Sequence, residues 1–127
     1  MIKRILSLIL IIGIFVTIGT PIAQARWTHL RSLSLGLSRS NNIVTSTTSI
    51  SGLSGTTRIS AIFTLERLEN GRYQQVDSWS ASSNSITLLN TRNTSNCPSG
   101  TYRLNVTVTI TRNGTDETVS DSLVRVL

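Results

Sequence analysis

Beyond residue 3 the chain contains no lysine, and over its whole length it has one cysteine (Cys97), one histidine (His29), two prolines and six aromatic residues. Each scarcity excludes something. A lone cysteine forms no internal disulfide. One histidine and one thiol cannot supply the ligand cluster of a zinc site. A His–Cys nucleophilic pair would have to be His29 with Cys97, and no neighbouring residue stands ready to orient it. Serine is abundant, yet no Gly-x-Ser-x-Gly elbow occurs. The six acids are Glu66, Glu69, Asp77, Asp116, Glu117 and Asp121. Most stand near turn signals with arginine close by, which suits solubilising charges better than the paired carboxylates of glycoside hydrolysis. Asp116-Glu117 reads as a solvated turn and not as a calcium site. The expectation is a protein that is not an enzyme and uses no metal or cofactor.

The N-terminus is the most specific signal. Lys3 and Arg4 form a short positive region, residues 5–18 are almost wholly apolar, and Gly19-Thr20-Pro21 breaks the helix before Ala23-Gln24-Ala25. This order is the layout of a secretory signal, with small residues where a signal peptidase needs them. It predicts a signal peptide over residues 1–25, cleaved between Ala25 and Arg26. The alternative is an uncleaved anchor, because the uncharged stretch 5–25 spans a bilayer if the helix continues past Pro21. In both cases the positive end stays inside and the remainder goes outside. No cysteine stands at the cleavage point, which argues against a lipoprotein.

Residues 26–127 suit one domain with one core. They carry ten arginines against the six acids, a formal charge of +4. Serine and threonine make up about a third of them and recur beside single apolar residues, the pattern of strands with one wet and one dry face. No segment shows a helical stripe.

Alternation in residues 33–37 predicts a first strand, Asn41-Asn42 a turn, and residues 43–51 a second strand. Residues 58–68 follow, with Ile59, Ala61, Phe63 and Leu65 on one face. Asn70-Gly71 is the strongest hairpin signal, because a type I′ turn needs positive φ at both central residues. A two-residue loop there sets Glu69 opposite Arg72, Leu68 opposite Tyr73, Leu65 opposite Val76 and Ile62 opposite Trp79. Residues 85–90 form a short strand and residues 90–100 a loop. Residues 101–112 read as the clearest strand, with Tyr102, Leu104, Val106, Val108 and Ile110 facing inward. After Asn113-Gly114, a two-residue loop would put Glu117 and Asp121 on the core face, and burying unpaired carboxylates is costly. A three-residue loop, Asn113-Gly114-Thr115, is therefore favoured, with Thr118, Ser120, Ser122, Val124 and Val126 inward.

Seven short strands with regular turns point to an all-β fold, a single antiparallel β-sandwich. Gly100-Thr101-Tyr102 resembles the tyrosine corner of immunoglobulin-like and fibronectin III-like folds, whose hydroxyl ties back to upstream backbone. No Cys…Trp…Cys framework is present, and Leu104 stands where an antibody-type domain has its second cysteine. Residues 55–127 are also similar to small, uncharacterised exported proteins of Gram-positive bacteria, especially clostridia and their relatives. The similarity runs through Thr57-Arg58-Ile59-Ser60-Ala61, Asn70-Gly71-Arg72-Tyr73-Gln74-Gln75-Val76-Asp77-Ser78-Trp79, Gly100-Thr101-Tyr102-Arg103-Leu104 and Glu117-Thr118-Val119. It implies a fold and an extracellular address, and transfers no site residues.

The first-hairpin register places Ile62, Leu68, Tyr73 and Trp79 on one outer face, where Trp and Tyr stack on sugar rings or anchor a protein. A bulge would instead turn Trp79 into the core. The dispersed arginines favour anionic partners such as acidic envelope polymers, and no recognition helix or stacking platform for nucleic acid is visible. The leading expectation is an exported, non-catalytic binding module for an envelope polymer, glycan or protein. It would act as a monomer or weak homo-oligomer and meet the membrane only through its signal segment. The second is a structural protein that self-associates through open sheet edges or through Cys97 as an intermolecular thiol. Expression in a secreting Gram-positive host should yield a chain whose intact mass corresponds to a start at Arg26. Retention of residues 1–25 would mark an anchor instead.

Overall fold

The computed structural model describes residues 27–127; the expected signal segment and the expected Ala25–Arg26 cleavage point lie outside the described residues. Seven strands follow one another: β1 (Leu30–Ser40), β2 (Ile43–Gly52), β3 (Thr56–Glu69), β4 (Arg72–Ser83), β5 (Thr87–Thr94), β6 (Thr101–Arg112) and β7 (Thr115–Val126). They form two antiparallel sheets, one of order β1-β2-β5 and one of order β4-β3-β6-β7. The sheets face each other, with β1 beside β7 at one open side and β4 beside β5 at the other.

Three two-residue turns set the hairpins. Asn41 and Asn42, Asn70 and Gly71, and Asn113 and Gly114 all have φ between 52° and 80°. Asparagine tolerates this left-handed region because its short polar side chain hydrogen-bonds locally. The turns match the right-handed twist of the strands they join. Alternation then fills the core. Ile59, Ala61, Phe63 and Leu65 of β3 face Val44 and Ile50 of β2 across the sandwich, and Tyr102, Leu104, Val106, Val108 and Ile110 of β6 complete the layer. Tyr102 is fully buried and donates its hydroxyl to the Pro98 carbonyl at 2.6 Å, pinning the β5–β6 loop.

Two expected registers are corrected. In the first hairpin Glu69↔Arg72 and Leu68↔Tyr73 pair as expected, but the ladder then shifts between Leu65 and Glu66. Val76 is left over as a bulge, so Leu65 meets Asp77, Phe63 meets Trp79 and Ile62 meets Ser80. One extra residue flips every later side chain to the other face. Trp79 therefore turns inward and stacks on Phe63, with ring centroids 5.2 Å apart and planes 11° from parallel.

In the second hairpin the loop has two residues, not three: Arg112 pairs with Thr115, Ile110 with Glu117 and Val106 with Asp121. Glu117, Val119 and Asp121 take the inner side, and Val124 and Val126 the outer. The cost is met at Glu117, whose carboxylate gathers backbone donors at the open side beside this edge strand, and persists at Asp121, whose carboxyl burial raises.

Cys97 is 2% exposed beneath the β5–β6 loop, with its thiol directed at the Ser95 carbonyl at 3.5 Å. Arg39 Nε donates to the Cys97 carbonyl, and the Cys97 N–H donates to the carbonyl of Asn42. Cys97, expected as an intermolecular thiol, is thus a buried free cysteine in the folded domain. Truncating Trp79 to alanine should remove a core aromatic contact and cost about 2–4 kcal/mol, a fall in melting temperature of roughly 10 °C or more in a domain of this size. Differential scanning calorimetry checks this.

Candidate functional site

The two open sides are closed by carboxylates. At the β4–β5 side the bulge aims Asp77 inward. Arg92 of β5 grips it through Nε and Nη2 at 3.0 and 3.1 Å, and the Thr94 hydroxyl donates to it at 2.6 Å. The Arg92 hydrogen bonds hold the Asp77 carboxyl below its usual range, burial opposes them, and the Thr94 and Ser78 donors add to the lowering. The Arg92 guanidinium also lies 5.3 Å from the Trp79 ring, whose Nε1 donates to Asn90 at 3.0 Å.

At the β1–β7 side Glu117 accepts the backbone N–H groups of Thr28, His29 and Leu30 at 2.7, 2.8 and 3.1 Å. The Thr28 hydroxyl adds a fourth donor. Burial alone would raise the Glu117 carboxyl; these donors outweigh it and lower it. Arg112 ties the same corner by donating to the carbonyls of Ser54 and Thr28. Asp121 has no such set. Burial raises its carboxyl, and only its neighbour's N–H, Ser122, opposes the shift.

Asp77 and Glu117 are clasps between the sheets. His29 bridges the hydroxyls of Thr28 and Thr115, each 3.2 Å away. It precedes β1, whereas Cys97 meets the turn after β1. Eleven strand residues lie between them, on the order of 30 Å, so the two sequence candidates for a nucleophilic pair are not brought together. Among the described residues no three His, Cys, Asp or Glu side chains gather as metal ligands.

Among the described residues none covers the outer face of the four-stranded sheet. Its rows follow from the register: Tyr73 beside Leu68, then Gln75–Glu66–Arg103–Val124, Ser78–Thr64–Asn105–Ser122 and Ser80–Ile62–Thr107–Ser120. Val126 pairs with Thr101 at the Tyr73 end. Arg103 is fixed there. Its guanidinium carbon lies 3.9 Å from the Tyr73 ring centroid, and its Nε donates to Glu66 at 2.7 Å. Asn105 donates to the same carboxylate oxygen at 2.7 Å. Around this ordered cation Ile62 is 62% exposed, Val124 46% and Val126 82%, with Leu68 also exposed. Ordered arginine and tyrosine side chains flanked by bare aliphatics lose little conformational entropy on contact, the property of interface anchors.

The structure thus brings Ile62, Leu68 and Tyr73 onto the expected face and sends Trp79 to the other. Sequence reasoning missed Val124, Val126 and Arg103. The first two were hidden by the three-residue loop assigned to the second hairpin. Asn113-Gly114 was the signal that places them outward, read as the two-residue turn that this dipeptide prefers.

No protein-family model matches the chain, and no curated protein matches it.

Because Asp77 and Glu117 are held below their unfolded values, their stabilisation is complete above the ordinary carboxylate range of about pH 4–5 and is lost as pH falls below it. Asp121 acts oppositely: its ionised form is disfavoured in the fold. Denaturant titrations should show Glu117→Gln less stable at neutral pH by about 1 kcal/mol, a solvent-screened figure. Asp121→Asn should be more stable than the parent there, and the gain should vanish in acid.

Proposed function

We propose that the chain is an exported, non-catalytic β-sandwich binding module, fibronectin III-like in topology, that acts at the cell surface or in the medium. The strand order supports that topology. The fourth strand joins the sheet of β3, β6 and β7 instead of the sheet of β1, β2 and β5, unlike the constant-type immunoglobulin arrangement. The Tyr102 hydroxyl bonded to the carbonyl four residues upstream supplies the corner. The layout of residues 1–25 supports export.

The observation that carries the binding reading is Arg103 laid over Tyr73 on a bare sheet face beside exposed Leu68, Val124 and Val126. An exposed apolar group with a fixed cation fits a partner that offers both apolar surface and negative charge: a protein, a glycan or an envelope polymer.

The test is retention of the purified chain on envelope fractions of a Gram-positive bacterium, separated into protein, neutral glycan and anionic polymer. Tyr73→Ala with Val126→Ser should cut retention at least tenfold and leave the melting temperature within a few degrees. Retention that fades with added salt identifies the anionic polymer, whereas salt-resistant retention identifies protein or neutral glycan. Failure of the unmodified chain to bind any fraction overturns the reading.

A further inference from the structure

The geometry points to the free edge of β1 as a pairing site for a second copy of this chain, joining two three-stranded sheets into one of six strands. The sandwich has four strand edges, those of β4, β7, β1 and β5. A strand edge displays unpaired N–H and C=O groups, and proteins blunt it with bulges, inward charges, short strands or cover.

Three of the four edges carry such a device. The β4 edge has the Val76 bulge and inward Asp77 bound to Arg92. The β7 edge points Glu117 and Asp121 inward, in register with Ile110 and Val106. The β5 strand has only 8 residues and is tied to β4 through Arg92 and Asn90. The β1 strand differs. It pairs with β2 without interruption from Ser32 to Ser40, and its one irregularity lies at its start, between Leu30 and Ser32. Residues 32–38 read Ser-Leu-Ser-Leu-Gly-Leu-Ser, with no charge, proline or bulge. Alternating segments of this kind are the ones that pair with a like segment when left open. The side-chain ties found along β1 stand at its two ends: Glu117 with residues 28–30, and Arg39 with Cys97 and Asn42.

Charge limits where two copies can meet. Ten arginines against six acids make two copies of residues 26–127 repel wherever their charged faces meet. The outer face of the three-stranded sheet carries no charge through its middle rows, Ser34–Ser49–Leu89 and Gly36–Thr47–Thr91. A two-fold axis at Gly36 would set Ser34 opposite the partner's Ser38 and Leu35 opposite the partner's Leu37, and would keep Arg31 and Arg39 out of register with each other. The interface is then the same patch on both copies, as closed two-fold pairing requires. This inference is independent of the binding face on the other sheet.

The test is sedimentation of the full chain, expressed in a secreting Gram-positive host, from low micromolar to millimolar concentration. The average mass should rise from monomer toward dimer, and amide exchange in residues 32–38 should slow over the same range. Ser34→Lys with Ser38→Lys should weaken association at least tenfold, whereas Ser80→Lys with Ser82→Lys on β4 should leave it unchanged. Tyr73→Ala with Val126→Ser should also leave it unchanged. A monomer at every concentration overturns the proposal. So does a dimer unaffected by the β1 pair, or one equally weakened by the β4 pair or the Tyr73 pair.

Discussion

The constraint on which the rest depends is the backbone conformation of three short turns. Where two successive residues take positive φ, the loop has two residues and the facing strands start in one register, which holds until a bulge such as that at Val76 shifts it. Alternation then decides, residue by residue, what is buried. The Asn113-Gly114 turn carries this most plainly. By pairing Arg112 with Thr115 it sends two acids inward and two valines outward. The fold accepts Glu117 because the turn's demand falls on an edge strand, where backbone donors reach it, and tolerates Asp121 at a cost. A central strand would have refused the same register, since an unpaired carboxylate there has no such donors.

The open sides of a two-sheet fold are its weak places, and this chain closes each with one carboxylate. Asp77 gathers an arginine and a hydroxyl; Glu117 gathers three consecutive backbone donors. The two solutions differ in what they order. The first links side chains of neighbouring strands. The second fixes the course of the chain as it enters β1.

Much of this was legible in the sequence. The β6 strand was read to the residue, because its alternation is unbroken and its inward set is wholly apolar. The turns were readable from Asn-Asn and Asn-Gly. Two things were not. The bulge at Val76 has no local signature: the residues around it alternate acceptably in either register, and only the gain from stacking Trp79 on Phe63 and aiming Asp77 at Arg92 selects one. A core-burial penalty on Glu117 and Asp121 favours the three-residue loop only if β7 is a central strand, and β7 is an edge. Edge status belongs to sheet order, which the pattern of a single strand does not encode. The proposed binding face suffered from both, losing an expected tryptophan and gaining two valines.

The sealing of Cys97 bears on how a chain exported as proposed would survive outside the cell. A thiol in an oxidising medium is a hazard whenever it is reachable, because it can cross-link unrelated copies. Here the hazard exists only while the loop between β5 and β6 is undocked. Once the Tyr102 hydroxyl has closed on the Pro98 carbonyl, the sulfur is hidden and the chemistry stops. Completion of folding is thus also the step at which the molecule becomes chemically inert, and any copy that stalls beforehand is the one that oxidants will mark.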